Sequence, residues 1–118
     1  MAFKLTPSAP RYIESVLWSF GSGQDGRNPF AGLTMKGAVL YGTTAHGGVF
    51  GSGTVFNLTP SGSSYTESVL WNFGSGQDGQ NPVADVISRG GALYGTTWFG
   101  GANQCGSATC GTVFRLVP

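Results

Sequence analysis

The stretch YIESVLWSFGSGQDGRNP, Tyr12 to Pro29, returns as YTESVLWNFGSGQDGQNP, Tyr65 to Pro82, with fifteen of eighteen positions identical at an offset of 53. A duplication this faithful inside 118 residues restricts the chain to architectures that use one supersecondary unit more than once. The same offset pairs FKLTP (Phe3–Pro7) with FNLTP (Phe56–Pro60), and AVLYGTT (Ala38–Thr44) with ALYGTT (Ala92–Thr97). GTVFNLTP at Gly53 then returns as GTVFRLVP at Gly111, now at offset 58. The five extra residues fall in the loop that carries both cysteines. The repeats run about 3–55 and 56–113, with a terminal strand copy at 111–117, inside one repeat domain spanning 1–118.

Each repeat divides into four short strand candidates: GTVFNLTP, YTESVLWNF, VADVISR and ALYGTT in the second copy. Between them lie SGSS, GSGQDGQNP and Gly90-Gly91, rich in residues that favour turns for distinct backbone reasons. No segment shows capped 3.6-residue periodicity, so the fold class is all-β. In SVLWNF, Val69, Trp71 and Phe73 share one face and Leu70 takes the other. A sheet covered on both sides needs apolar weight on both faces. Four antiparallel strands recurring every ~40–50 residues with Gly and aromatic punctuation predict β-propeller blades, with stacked sheets or a β-solenoid as competing arrangements. AFKLTP and GTVFRLVP are copies of one strand, which makes nine strand candidates where two four-stranded blades need eight.

Composition narrows the function classes. Charged residues are 9% of the chain and the net charge is +1, with the six basic residues scattered. That excludes a basic nucleic-acid footprint and gives no reason for an anionic membrane partner. Twenty-one glycines accompany 40% apolar residues, which argues for many tight turns rather than disorder. No apolar run approaches the ~20 residues of a membrane span. The opening MAFKLTPSAP lacks the apolar core of a signal peptide, so the expectation is a cytosolic, processed or excised chain. Cys105 and Cys110 are not at a usual zinc spacing and only one histidine is present. A local disulfide is the reading, with two free thiols as the alternative; a disulfide implies an oxidising compartment.

Five residues stand out as ligand-binding candidates: Asp25, Asp78, His46, Trp98 and Phe99. Asp25 and Asp78 sit in the repeated GSGQDG loops, where a carboxylate offers oxygen to a cation or sugar hydroxyl, or caps neighbouring backbone N–H groups. One carboxylate per loop is too few for a calcium cage, and no metal or cofactor is expected. Trp18 and Trp71, mid-strand among apolar neighbours, read as core. Trp98 and Phe99 stand where the first repeat has Ala45 and His46, and a loop aromatic that breaks the repeat is a candidate for ligand contact. His46 has no sequence motif supplying a nucleophile or orienting carboxylate, so no catalytic residue is assigned.

The elements LYGTT, GTVF.LTP and GxDGxNP together resemble the bacterial GloVer tandem-repeat family. The resemblance implies a secreted or surface-attached, propeller-like array without assigned catalytic residues. Propellers hold about 4–8 blades, so two blades are expected to self-associate, three or four chains closing a ring or a head-to-tail series forming a filament. The expected function is a non-enzymatic structural or adhesive module, with carbohydrate as the candidate ligand. The alternatives are a carbohydrate-active enzyme fragment using Asp25 and Asp78 as paired carboxylates, or an excised or engineered fragment without a ligand.

Overall fold

The computed structural model describes residues 1–118 and contains strands and no α-helix. The strands are β1 (Ala2–Ser8), β2 (Arg11–Trp18), β3 (Thr34–Lys36), β4 (Val39–Thr44), β5 (Thr54–Ser61), β6 (Ser64–Asn72), β7 (Ile87–Arg89), β8 (Ala92–Thr97), β9 (Gln104–Cys105), β10 (Ala108–Thr109) and β11 (Thr112–Leu116). All pairings between strands are antiparallel. The nine expected strands are present, and the cysteine loop adds the small β9–β10 hairpin. Tight turns close the β1–β2, β3–β4, β5–β6 and β7–β8 hairpins, and longer loops join one hairpin to the next. Gly90 and Gly91, both at positive φ, turn β7 into β8, as a two-residue hairpin requires.

Three sheets follow one another: the β1–β2 hairpin, a four-stranded sheet ordered β3-β4-β5-β6, and a three-stranded sheet ordered β11-β8-β7. These units cut across the sequence repeats. The complete sheet takes β3 and β4 from the first copy and β5 and β6 from the second. Thus β1–β2 corresponds to its last two strands, and β7, β8 and β11 correspond to its first three.

Alternation along β5 gives the middle sheet two buried faces, and a bulge in β6 puts Trp71 opposite Val55 and Val69 opposite Phe56, so these two residues do not share the face that simple alternation predicts. Phe56 and Leu58 form one core cluster with Ala2, joined by Leu17 and Trp18 of the hairpin. Val55, Tyr41 and Phe73 form the other with Val86 and Leu93, joined by Phe114 and Leu116 of the three-stranded sheet. Edge-to-face ring pairs mark each junction: Phe20 with Phe56 at 4.8 Å and Phe73 with Phe114 at 5.1 Å. The sheets therefore stack in an open row, 52 × 30 × 25 Å, with a radius of gyration of 15.2 Å. A compact domain of this length would have about 13–14 Å. The outer faces of the row stay in water: Phe3 and Leu5 on one side, Val113 on the other, are more than half exposed.

Candidate functional site

The repeated loops carry the same clamp twice. In the first, Trp18 Nε1 donates to Asp25 Oδ2 at 3.1 Å and the Gly21 amide donates to Asp25 Oδ1 at 3.0 Å. In the second, Trp71 Nε1 donates to Asp78 Oδ2 at 3.0 Å and the Gly74 amide to Asp78 Oδ1 at 3.1 Å. The spacing explains the conserved length of Trp-x-Phe-Gly-x-Gly-x-Asp within the chain. The loop must return its carboxylate seven residues later to the indole that ends the strand. Gly26 and Gly79 follow at positive φ, each with its Cα pressed onto a threonine of the neighbouring strand. A Cβ on Gly26 would lie 2.3 Å from Thr44 Oγ1.

Surroundings distinguish the two clamps. The first is covered by the middle sheet: Asp25 is buried, and Glu67 of β6 lies close enough for the two carboxylates to repel. Burial, with the Asp25 charge adding to it, pushes the Glu67 carboxyl up to about 7. Glu67 Oε1 and Asn57 Oδ1 are enclosed without a hydrogen-bond partner. The second clamp has no counterpart of β6 in front of it. Trp71 is 43% exposed, and with Val55, Phe73, Asp78, Phe114 and Leu116 it lines an open pocket of about 260 Å³. The reading of Trp71 as core is therefore corrected: its strand neighbours are apolar, yet no strand covers the ring. Trp18, in the covered copy, is half-buried.

Beside this pocket β11 pairs only with β8, and its other edge is unpaired. Alternate residues of β11 thus present unpaired backbone groups beside an apolar face, the arrangement that recruits a further strand. This edge is the candidate site. β11 is the ninth strand of the sequence count, and its place beside a pocket is set by the sheet order. Trp18 and Trp71 occupy matched positions in the sequence, and only the sheet order decides which of the two rings is left uncovered.

The remaining candidates lie elsewhere. Trp98 is 63% exposed and stacks on Phe99 with centroids 5.4 Å apart and planes 7° from parallel, so it is not packed under the cysteine loop. Backbone bonds link Phe99 to Gln80 just as they link His46 to Arg27. The His46 ring faces Asn28, with Nδ1 3.2 Å from Asn28 Oδ1. Cys105 and Cys110 are joined in a disulfide, with Cα atoms 5.3 Å apart across the β9–β10 hairpin. No cluster of three His, Cys, Asp or Glu side chains gathers anywhere, and no helix is long and apolar enough to cross a membrane.

The chain belongs to the Gloeobacter/Verrucomicrobia repeat family, whose sequence model matches residues 1–118. Comparison with curated proteins and with solved structures finds no match. Membership of a repeat family and the disulfide are compatible with an extracellular setting.

Proposed function

We propose that the chain is a non-enzymatic repeat module whose sheets act as propeller-like blades and which assembles with copies of itself into a structural or adhesive scaffold outside the cell. One observation carries this reading: identical Trp–Asp clamps are covered by a fourth strand at one junction and open at the other. The carboxylates that an enzyme would need already accept two hydrogen bonds each within their own loops. His46 faces an amide rather than a carboxylate. Both features favour scaffold over catalysis.

The test is native mass in solution, by light scattering or analytical ultracentrifugation. A ring of three or four chains sediments as a discrete multiple of 12.2 kDa, and a filament gives an open series. A 12.2 kDa species persisting at high concentration overturns the assembly.

Exposed Trp98, parallel to the half-buried Phe99 ring, favours carbohydrate as the adhesive ligand, since sugar rings pack on flat aromatic surfaces that keep a polar rim. Screening against an oligosaccharide panel, with Trp98→Ala as the comparison, tests that element. Binding unchanged in the variant removes Trp98 from the site.

A further inference from the structure

We infer that a second copy of this chain lays its β2 segment, Arg11–Trp18, along the free edge of β11, in the register that β6 keeps on β5, and that β1 is the strand given up. This rests on the assembly proposed above and specifies its contact. The template is inside the molecule. On β5, Val55 faces Trp71, Phe56 faces Val69, Asn57 faces Ser68 and Leu58 faces Glu67. β11 is the sequence copy of β5, and β2 is the copy of β6. Transferring the pairs sets Val113 opposite Trp18, Phe114 opposite Val16, Arg115 opposite Ser15 and Leu116 opposite Glu14 of the second copy.

The pocket at this edge is what such a strand fills. At the covered junction, Val69 and Glu67 of β6 stand before the positions that match Trp71, Asp78, Phe114 and Leu116. Their copies are Val16 and Glu14, both exposed in the hairpin of a single chain. The incoming strand therefore buries two exposed residues and closes the pocket over Trp71 in one step.

Two copies of the third strand, β1 and β11, compete for one position, and the contacts favour β11. Thr112 pairs its hydroxyl with Thr97 at 2.8 Å, as Thr54 does with Thr44 in the complete sheet. The matching residue ahead of β1 is Met1, which offers no hydroxyl. Phe114 is locked edge-to-face on Phe73, whereas Phe3 is 51% exposed. Val113, 80% exposed, matches Ala2, which is buried against Phe56 and Leu58 of the middle sheet. Once β11 replaces β1 in the second copy, Val113 occupies the place of Ala2 on that copy's Phe56. A large apolar side chain that is stranded in the single chain thereby becomes core.

The test uses paired cysteines in the full chain under mild oxidation, separated on non-reducing gels. Arg115→Cys with Ser15→Cys is expected to give bonds between chains, because facing positions of adjacent strands bring Cβ atoms within disulfide reach. Lys4→Cys with Ser15→Cys reports the opposite arrangement, since Lys4 faces Ser15 within one hairpin. An oligomer that bonds 4 to 15 within each chain and never 15 to 115 between chains overturns this inference and leaves the assembly standing. A monomer throughout overturns both. Val113→Asp supplies a second arm that spares the single chain's core. The expected result is at least tenfold weaker association with unchanged urea unfolding of the monomer. Association equal to wild type sinks the exchange.

Discussion

Glu67 is the residue whose chemistry the fold treats worst. Its carboxyl sits half-buried beside Asp25, with Oε1 lacking a partner, and is pushed up to about 7 from an ordinary value of 4.5, first by burial and then by the Asp25 charge. Because the folded-state value is the higher one, the folded chain holds this proton more tightly than the unfolded chain does. The contribution is complete below pH 4.5, declines as the pH rises towards 7, and is gone above it. A fully enclosed group would lose roughly 3 kcal/mol across that window; solvent screening at this half-exposed site reduces it to about 1–2 kcal/mol. Glu67→Gln is therefore expected to raise urea stability at pH 8 by about that amount and to leave pH 4 nearly unchanged. A wild-type slope surviving in the variant would assign the titration to another group. Glycine gives a second prediction at this scale. Gly26 has φ +93° and no room for a Cβ against Thr44, whereas Gly23 has φ +66° and open space around it. Gly23→Ala pays only for the left-handed backbone, about 1–2 kcal/mol. Gly26→Ala adds the clash with the buried Thr44–Thr54 hydroxyl pair, and chemical denaturation should show a loss of about 3 kcal/mol or more.

A strand and its exit loop form one unit here, because the indole that ends the strand is held by the carboxylate that ends the loop. Removing that carboxylate strands an indole N–H and a backbone N–H together. In the covered clamp neither regains water easily, so Asp25→Ala should cost about 2–3 kcal/mol. In the open clamp solvent replaces the acceptor, and Asp78→Ala should cost about 1 kcal/mol in the monomer. Equal losses in thermal or urea unfolding would mean that the two junctions do not differ as described. The strands themselves are legible in the sequence: alternation, turn residues and the doubled segment place β1–β8 and β11. The pairing of Cys105 with Cys110 was legible from their closeness in sequence. Sheet membership was not legible. A repeat is periodic, and its boundaries can be drawn at any phase; hydrogen bonding chose the phase that joins β3–β4 to β5–β6 across the sequence boundary. Trp71 escaped for the same reason. The apolar pattern of its strand states that a covering layer is wanted, and only the sheet order reveals that the single chain does not supply it. Asp25 and Asp78 look alike in sequence because they do the same local work, and their different surroundings come from sheets distant in the chain.

Association at the whole-molecule scale has a physical signature set by composition. With 9% charged residues and a net charge of +1, two copies meet with almost no long-range attraction or repulsion. The edge contact joins backbone groups of β11 and β2 and encloses the apolar pocket around Trp71. In the transferred register Arg115 faces Ser15 rather than an acid, so no ion pair is expected to hold the junction. Salt screening acts on exposed charges and leaves buried apolar area alone. Association should consequently vary by less than about threefold between roughly 0.05 and 0.5 M sodium chloride. Sulfate, excluded from apolar surface, should strengthen it at equal ionic strength. Because assembly stabilises only the folded chain, the melting temperature should also climb with protein concentration. Sedimentation across a salt series and melting across a hundredfold range of concentration measure both. A steep fall in association with sodium chloride would indicate that charged groups rather than the apolar pocket carry the contact, and would move the interface away from the β11 edge. A concentration-independent melting temperature would leave the 52 Å row of three sheets as the complete folded unit, with Val113 and Trp71 facing solvent.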